Sequence, residues 1–477
     1  MSRLISEALS QETFSEPKPT AAEHNHAELA LSVESAALEL TELAHEIEIE
    51  NYRLEELEHV AVTLESIQDS IRRKLEEDER GLDRYSAEGY QQAVRAVLGD
   101  FANPMGSLEN YGGQSEAYRA TELSIESIGE WFNQIWQAIK NAVSKIWESV
   151  SKFFARLTDG VERMSQRQEA LNSKVSDMKS GNYAAGSEHF EAPYADNLAI
   201  DGEVTPTKIV NSAEQVDDKM VAFLSQASEG TKEYFKALYD FYRSKPEDDS
   251  DLRKAQNDHY EKVTRDTRDI SGLTLPGDRQ LVIETEEIEG GKRISGMKIE
   301  QVSGAGSPNA SSPVPSLDEI EKMLEFAGNH IANLKSFSAV HDEIIEASKE
   351  AAKEAEESFQ EHLKEQEDSE GNIAGFWSSQ KASYALGQVR GEHLQMLTSM
   401  YNWYYQYIRS LLSYVDAATK EYSEQTEESL EGDDEAKEKE SDDSSKLESV
   451  QDSVRRKLEG ESDDEDSKEK KDDEDKK

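Results

Sequence analysis

Leu29, Val33, Ala36, Leu40, Leu43, Ile47, Glu50, Leu54, Leu57, Ala61, Leu64, Gln68, Ile71 and Leu75 follow one another in alternating steps of four and three. That spacing is a heptad seam, and it predicts one long helix with Glu50 and Gln68 as the polar entries of its apolar stripe. The seam fits either an intrachain helical hairpin or an intermolecular coiled coil. Between Glu28 and Ser70 stand twelve acids and one base, Arg53. Identical parallel copies would repel along their flanks, so a more basic partner helix is favoured over self-pairing.

A second periodic run spans Ile128 to Leu157. Ile128, Trp131, Phe132, Ile135, Trp136, Ile139, Val143, Ile146, Trp147, Val150, Phe153, Phe154 and Leu157 recur at three and four residues, and Lys140, Lys145 and Lys152 lie on the other face. The run predicts an amphipathic helix about 45 Å long. It carries Lys140, Lys145, Lys152 and Arg156 against Glu130 and Glu148, a basic island in an acidic chain. Three uses are open to its face of Trp131, Phe132, Trp136, Trp147, Phe153 and Phe154: core packing, contact with a membrane surface, or docking into another protein's groove.

The pattern elsewhere divides the chain. Residues 1–25 read as a disordered leader, 26–122 as the acidic heptad region, 123–180 as the amphipathic helix and 181–215 as a linker rich in Gly, Asn, Ala and Ser. Residues 100–118, with Pro104 and several glycines, read as a loop. Residues 216–305 hold a helix near Val216–Tyr242 and a small hairpin around Gly290-Gly291. Ser303–Pro315 reads as a further linker. Within 306–425, Ser316 stands three residues before Glu319, a capping-box signature for a helix reaching about Glu365. A last long helix, roughly Ser379 to Tyr422, is apolar on more than one side and should be buried. Residues 426–477, nearly all Asp, Glu, Lys and Ser, read as a disordered tail. The expected fold is mainly α: long helices in an elongated bundle or coiled-coil arrangement, one small β-hairpin and disordered ends.

Composition sharpens this. The 477 residues carry 101 acids against 53 bases, a net charge of −48. Such a chain repels phosphate backbones, so no direct nucleic-acid binding by the full-length chain is expected. It has no cysteine, which excludes disulfides and thiolate metal sites. The opening Met-Ser-Arg-Leu-Ile-Ser-Glu lacks an apolar run and no stretch approaches the roughly 20 apolar residues of a membrane span. A cytoplasm-like compartment is the expectation.

One peptide occurs twice. Residues 64–77 read LESIQDSIRRKLEE and residues 447–460 read LESVQDSVRRKLEG, with eleven of fourteen positions identical. Leu64, Ile67, Ile71 and Leu75, matched by Leu447, Val450, Val454 and Leu458, share a helical face. Arg72-Arg73 and Arg455-Arg456 sit near its end. Both copies read as docking peptides for one partner surface. Catalytic chemistry is harder to find. Glu42-x-x-His45 and Glu56-x-x-His59 have the spacing of di-iron half-sites, but lie on one helix about 21 Å apart. His-Glu-x-x-His, Gly-x-Ser-x-Gly and phosphate-cradling glycine loops are absent from the sequence. No catalytic residue, metal site or cofactor is expected, and the chain reads as a non-enzyme.

The Leu54-Glu55-Glu56-Leu57-Glu58-His59-Val60 heptads, followed by Ile139-Lys140-Asn141-Ala142-Val143-Ser144-Lys145-Ile146-Trp147 and Lys152-Phe153-Phe154, resemble the internal head (inner-body or ejection) proteins of giant tailed bacteriophages. The resemblance covers residues 25–180 most closely. It implies a structural protein packaged inside the capsid, with capsid and scaffold proteins and a prohead protease as partners. It also implies cleavage after a small residue-x-Glu motif, assembly in the host cytoplasm and a final place in the virion. Ala120-Thr121-Glu122 fits that motif, as do Ser10-Gln11-Glu12, Ser86-Ala87-Glu88 and Gly186-Ser187-Glu188. A cut after Glu122 would make residues 1–122 a propeptide, and the mature part would stay in the head or leave with the DNA. Two other readings stand beside it: an acidic cytoplasmic regulator or nucleic-acid mimic on a basic host protein, and a membrane-active effector using residues 128–157.

Overall fold

The computed structural model describes residues 21–77, 89–90, 92–93, 96, 116–244, 250–265, 274–304, 306–367 and 392–424. The expected disordered leader and tail lie outside these residues except for positions 21–25, which are helical. Among the described residues helix dominates, with only short antiparallel strand pairings beside it.

The heptad region forms α1 (Ala21–Glu77) and the amphipathic run forms α2 (Glu116–Ser180). The second helix outruns its expected span at both ends, because apolar residues continue in helical rhythm through Val161, Met164, Leu171 and Val175, all buried. The two helices run antiparallel in a fixed register. Lys145 Nζ donates to Glu50 at 3.0 Å and the Ser149 hydroxyl donates to Glu46 at 3.3 Å. Further along, Arg156 pairs with Glu39, and Arg163 Nη1 donates to the Ser32 carbonyl at 3.3 Å. As positions on α2 rise from 145 through 149 and 156 to 163, their partners on α1 fall from 50 through 46 and 39 to 32. Equal steps of four and seven on both helices are what a 3.5-residue repeat maintains.

Between these polar flanks lies the seam. Val33, Ala36, Leu40, Ile47, Leu54 and Leu57 are wholly buried, as are Ile139, Ile146, Val150, Phe153 and Leu157 from α2. The apolar stripe of α1 is therefore occupied within its own chain, the hairpin alternative of the two the heptads allow.

The chain then builds β1 (Tyr183–Ala185), β2 (His189–Glu191), α3 (Ala195–Leu198), α4 (Pro206–Gln215), a π turn at Val216–Met220 and α5 (Val221–Ser244). Next come α6 (Ser250–Thr264), β3 (Arg279–Ile288), β4 (Gly291–Gln301), β5 (Ser311–Pro313), α7 (Leu317–Glu367), α8 (Glu392–Lys420) and β6 (Tyr422–Glu424). The expected hairpin is β3–β4, closed through Gly290 at φ 90°, a left-handed conformation that glycine adopts without a Cβ penalty. The expected capping box opens α7: Ser316 N donates to Glu319 at 2.9 Å and Glu319 N donates back to Ser316 Oγ at 3.3 Å.

Both segments read as linkers are ordered, and they pair with each other. Phe190 of β2 faces Ser312 of β5. The Asp278 carboxylate accepts from the backbone of Asp201 at 2.5 Å and Gly202 at 2.8 Å, and Asn309 N donates to Gly202 O at 2.9 Å. Isolated apolar anchors, Phe190, Leu198, Val204 and Ile209, are buried and supply what composition did not reveal. Nearby, Phe190 packs on Tyr414, whose hydroxyl lies 2.8 Å from Ser312 Oγ.

Helix α8 is the axis of the core. Tyr401, Tyr404, Tyr405, Tyr407 and Tyr414 are all fully buried, as a helix apolar on every side requires. Their hydroxyls need partners in such a place. Tyr401 meets Ser228 at 2.8 Å, Tyr404 meets His330 Nδ1 at 2.7 Å and Tyr405 donates to the Val33 carbonyl at 3.4 Å. One helix thereby ties α1, α5 and α7 together.

Candidate interaction surfaces

Charge is used chiefly to join helices. The Arg156 guanidinium, hydrogen-bonded to Glu39, holds that carboxyl below its ordinary range against the opposing effect of burial. Arg409 of α8 donates to Glu34 of α1 at 3.1 Å and lies over the Tyr194 ring, 4.1 Å from its centre. Burial, with Glu34 close by, pushes the Tyr194 phenol up to about 12. Arg167 of α2 is buried and donates to Ser413 Oγ at 3.2 Å, with Asp416 3.9 Å away. Removing one member of such a set would leave a buried charge without its counterpart. These contacts fix which helix lies beside which.

Four buried histidines are the second polar feature. His330 and His341 are held well below the ordinary imidazole value, to about 4 and about 3, by burial. His341 stacks on Phe154 with ring centres 3.7 Å apart and meets Tyr401 edge-on. His259 lies 4.7 Å from His393 and 5.0 Å from Tyr234, and burial, with His393 beside it, also lowers its pKa. These rings pack face-on or edge-on against aromatics in the core, where a neutral imidazole serves as a flat packing unit. Among the described residues no group of three or more His, Asp or Glu side chains is arranged to hold a metal ion. His45, from the di-iron-like spacing, is exposed on α1 and pairs with Glu48 at 3.3 Å.

The residues singled out in the sequence fall in three places. Trp147, Phe153 and Phe154 turn inward: Trp147 Nε1 donates to Ser348 Oγ of α7 at 3.1 Å, and both phenylalanines are buried. At these three positions the face expected for a partner or a membrane is already packed by the chain itself. Trp131, Phe132 and Trp136 belong to the α2 backbone, but their side chains lie outside the described residues. Ala120, Thr121 and Glu122 stand in the first turns of α2, which begins at Glu116, ahead of the expected 123. The first copy of the repeated peptide ends α1; Ile67 is half-buried against the core and Arg73 is exposed, while the side chains of Leu64, Ile71, Arg72 and Leu75 lie outside the described residues. Leu447, Val450, Val454, Arg455, Arg456 and Leu458 lie outside them entirely. The histidine stacks and the Arg409–Glu34–Tyr194 set were not foreseen. They join residues far apart in the chain, and no local spacing signals them.

A family model built on internal head proteins matches residues 28–422, nearly the whole of the helical assembly. The chain belongs to the phiKZ-like phage internal head proteins. No curated protein and no solved structure matches it. Membership identifies this internal head protein as a structural component of the phage head interior, associated with capsid components. Among its described residues no helix is long and apolar enough to cross a membrane.

Proposed function

We propose that this internal head protein is a non-enzymatic packing element, matured by a prohead protease that cuts after Glu122. On this reading it is made in the host cytoplasm, enters the prohead through contacts with scaffold or capsid proteins, and leaves residues 1–122 as a separate piece. The family match supports the structural role, and the α1–α2 register bears on what a cut would leave behind. A cut after Glu122 separates the two helices covalently, yet the Glu50–Lys145, Glu46–Ser149 and Glu39–Arg156 contacts still hold them side by side.

If α1 departs, the buried aliphatic side chains that α2 turns toward it lose their cover. Each large aliphatic side chain so exposed costs about 1.5–3 kcal/mol, so α1 leaves only when another apolar surface replaces it. Cleavage thus licenses exchange of an internal partner for an external one. Glu122 lies in the second turn of α2, where local unwinding costs little, and a protease needs that unwinding to reach the bond.

Mass spectrometry of protein from purified particles tests this. The expected mature N-terminus is Leu123. Intact chain throughout mature particles would contradict maturation.

A further inference from the structure

The face of α1 opposite its seam exposes a periodic apolar stripe. Among the described residues the large apolar side chains left exposed are Leu31, Leu38, Ile49 and Tyr52, at 68, 47, 51 and 64 %. All four stand on α1. Leu31, Leu38, His45 and Tyr52 are spaced by sevens and form one row, and Ile49 stands in the adjoining row, whose other members are Glu28, Ser35, Glu42 and Glu56. The buried residues Val33, Leu40, Ile47 and Leu54 repeat with the same period but two positions later, on the far side of the helix. The row runs through three heptads, about 32 Å of helix. It is a narrow apolar stripe exposed to solvent. Scattered exposed leucines need no explanation, but a periodic stripe on one helix does.

Charge selects the occupant. Glu48 and Glu55 flank the Leu31–Tyr52 row on one side and Glu28, Glu42 and Glu56, which share the row of Ile49, on the other, all exposed. A second copy of α1 would set glutamates against glutamates, a repulsion that opposes homodimers. We propose that this face receives a basic amphipathic helix of another protein, with Leu or Ile in its seam and Lys or Arg at the flanking positions. The surface is distinct from the α1–α2 seam, and the inference does not depend on cleavage after Glu122.

The test uses the full-length chain and two synthetic three-heptad peptides with the same Leu/Ile seam, one flanked by Lys and one by Glu. It compares wild type with a Leu38→Glu/Tyr52→Glu double variant of unchanged helical circular dichroism. The wild type is expected to bind the Lys peptide and not the Glu peptide, and the double variant to lose at least tenfold in affinity. The variant adds negative charge, so general attraction of a basic peptide to an acidic protein would leave its binding equal or stronger. That result would overturn the proposal, as would binding of the Glu peptide or no binding of the Lys peptide. Wild-type self-association by sedimentation that the double variant loses would assign the stripe to a second copy. Binding to phosphatidylcholine vesicles that the variant loses would assign it to lipid.

Discussion

Glu50, a polar residue inside the apolar stripe of α1, accepts a hydrogen bond from Lys145 of α2 at 3.0 Å. Its carboxylate is mostly covered while the lysine is half exposed. A charge inside a coiled-coil seam costs stability and is tolerated where it fixes register. Here the neighbouring Asn51, also buried, donates to Gln395 of α8 at 2.9 Å. Two adjacent residues on α1 thus specify both of its neighbours.

Lys145→Glu should destabilise the chain by about 0.5–1 kcal/mol, because the exposed end of the pair is screened by water. The reciprocal exchange, Glu50→Lys with Lys145→Glu, should recover most of that loss. Urea unfolding of the four proteins in the cycle measures the coupling. A double variant no better than the sum of the two single variants would deny the contact.

Gly160 of α2 lies against the Tyr405 ring of α8. A Cβ placed there would lie 2.6 Å from the Tyr405 hydroxyl oxygen and 2.8 Å from its Cε2. In an open helix Gly→Ala gains about 1 kcal/mol. Gly160→Ala should instead cost roughly 1–3 kcal/mol, the usual penalty for overpacking. Thermal unfolding decides it, and a raised Tm would mean that Tyr405 does not lie against this turn.

Acid should unfold the protein through its buried histidines. Above about pH 6.5 imidazoles are neutral in folded and unfolded chains alike and leave stability unchanged. Below that, the unfolded chain takes up protons that His330 and His341 refuse until about pH 4 and about pH 3. Stability therefore falls as pH drops through this window, by roughly 2 kcal/mol per histidine at pH 5. Comparing urea midpoints at pH 7.5 and pH 5 checks this. His341→Phe, which keeps a ring against Phe154, should shrink the difference.

Much of the fold was legible because it repeats. The three-and-four spacing through Val33, Leu40, Ile47 and Leu54 placed the seam residue by residue, and the Ser316–Glu319 spacing placed the start of α7. Tyr401 through Tyr414, too apolar for any one face, announced a central helix. Non-local pairing was hidden. Nothing near Phe190 announces Ser312, and a Gly- and Ser-rich composition looks the same whether a segment is a linker or a pinned connection. The interaction face was half legible: periodicity gave the stripe on α2, but not that Trp147 and Phe154 would be covered by Ser348 and His341 of α7.

The account rests on the acidic heptad helix α1 being clasped by α2 of its own chain, through Lys145, Arg156 and Arg163. The protein has no cysteine, so a Glu46→Cys/Ser149→Cys variant carries the only two thiols, placed where the side chains now meet at 3.3 Å. A short bismaleimide reagent applied to dilute full-length protein should give a cross-link within single chains, seen as monomeric mass on a denaturing gel and as one joined peptide pair. Cross-linked dimers, or two thiols that never join, would contradict it.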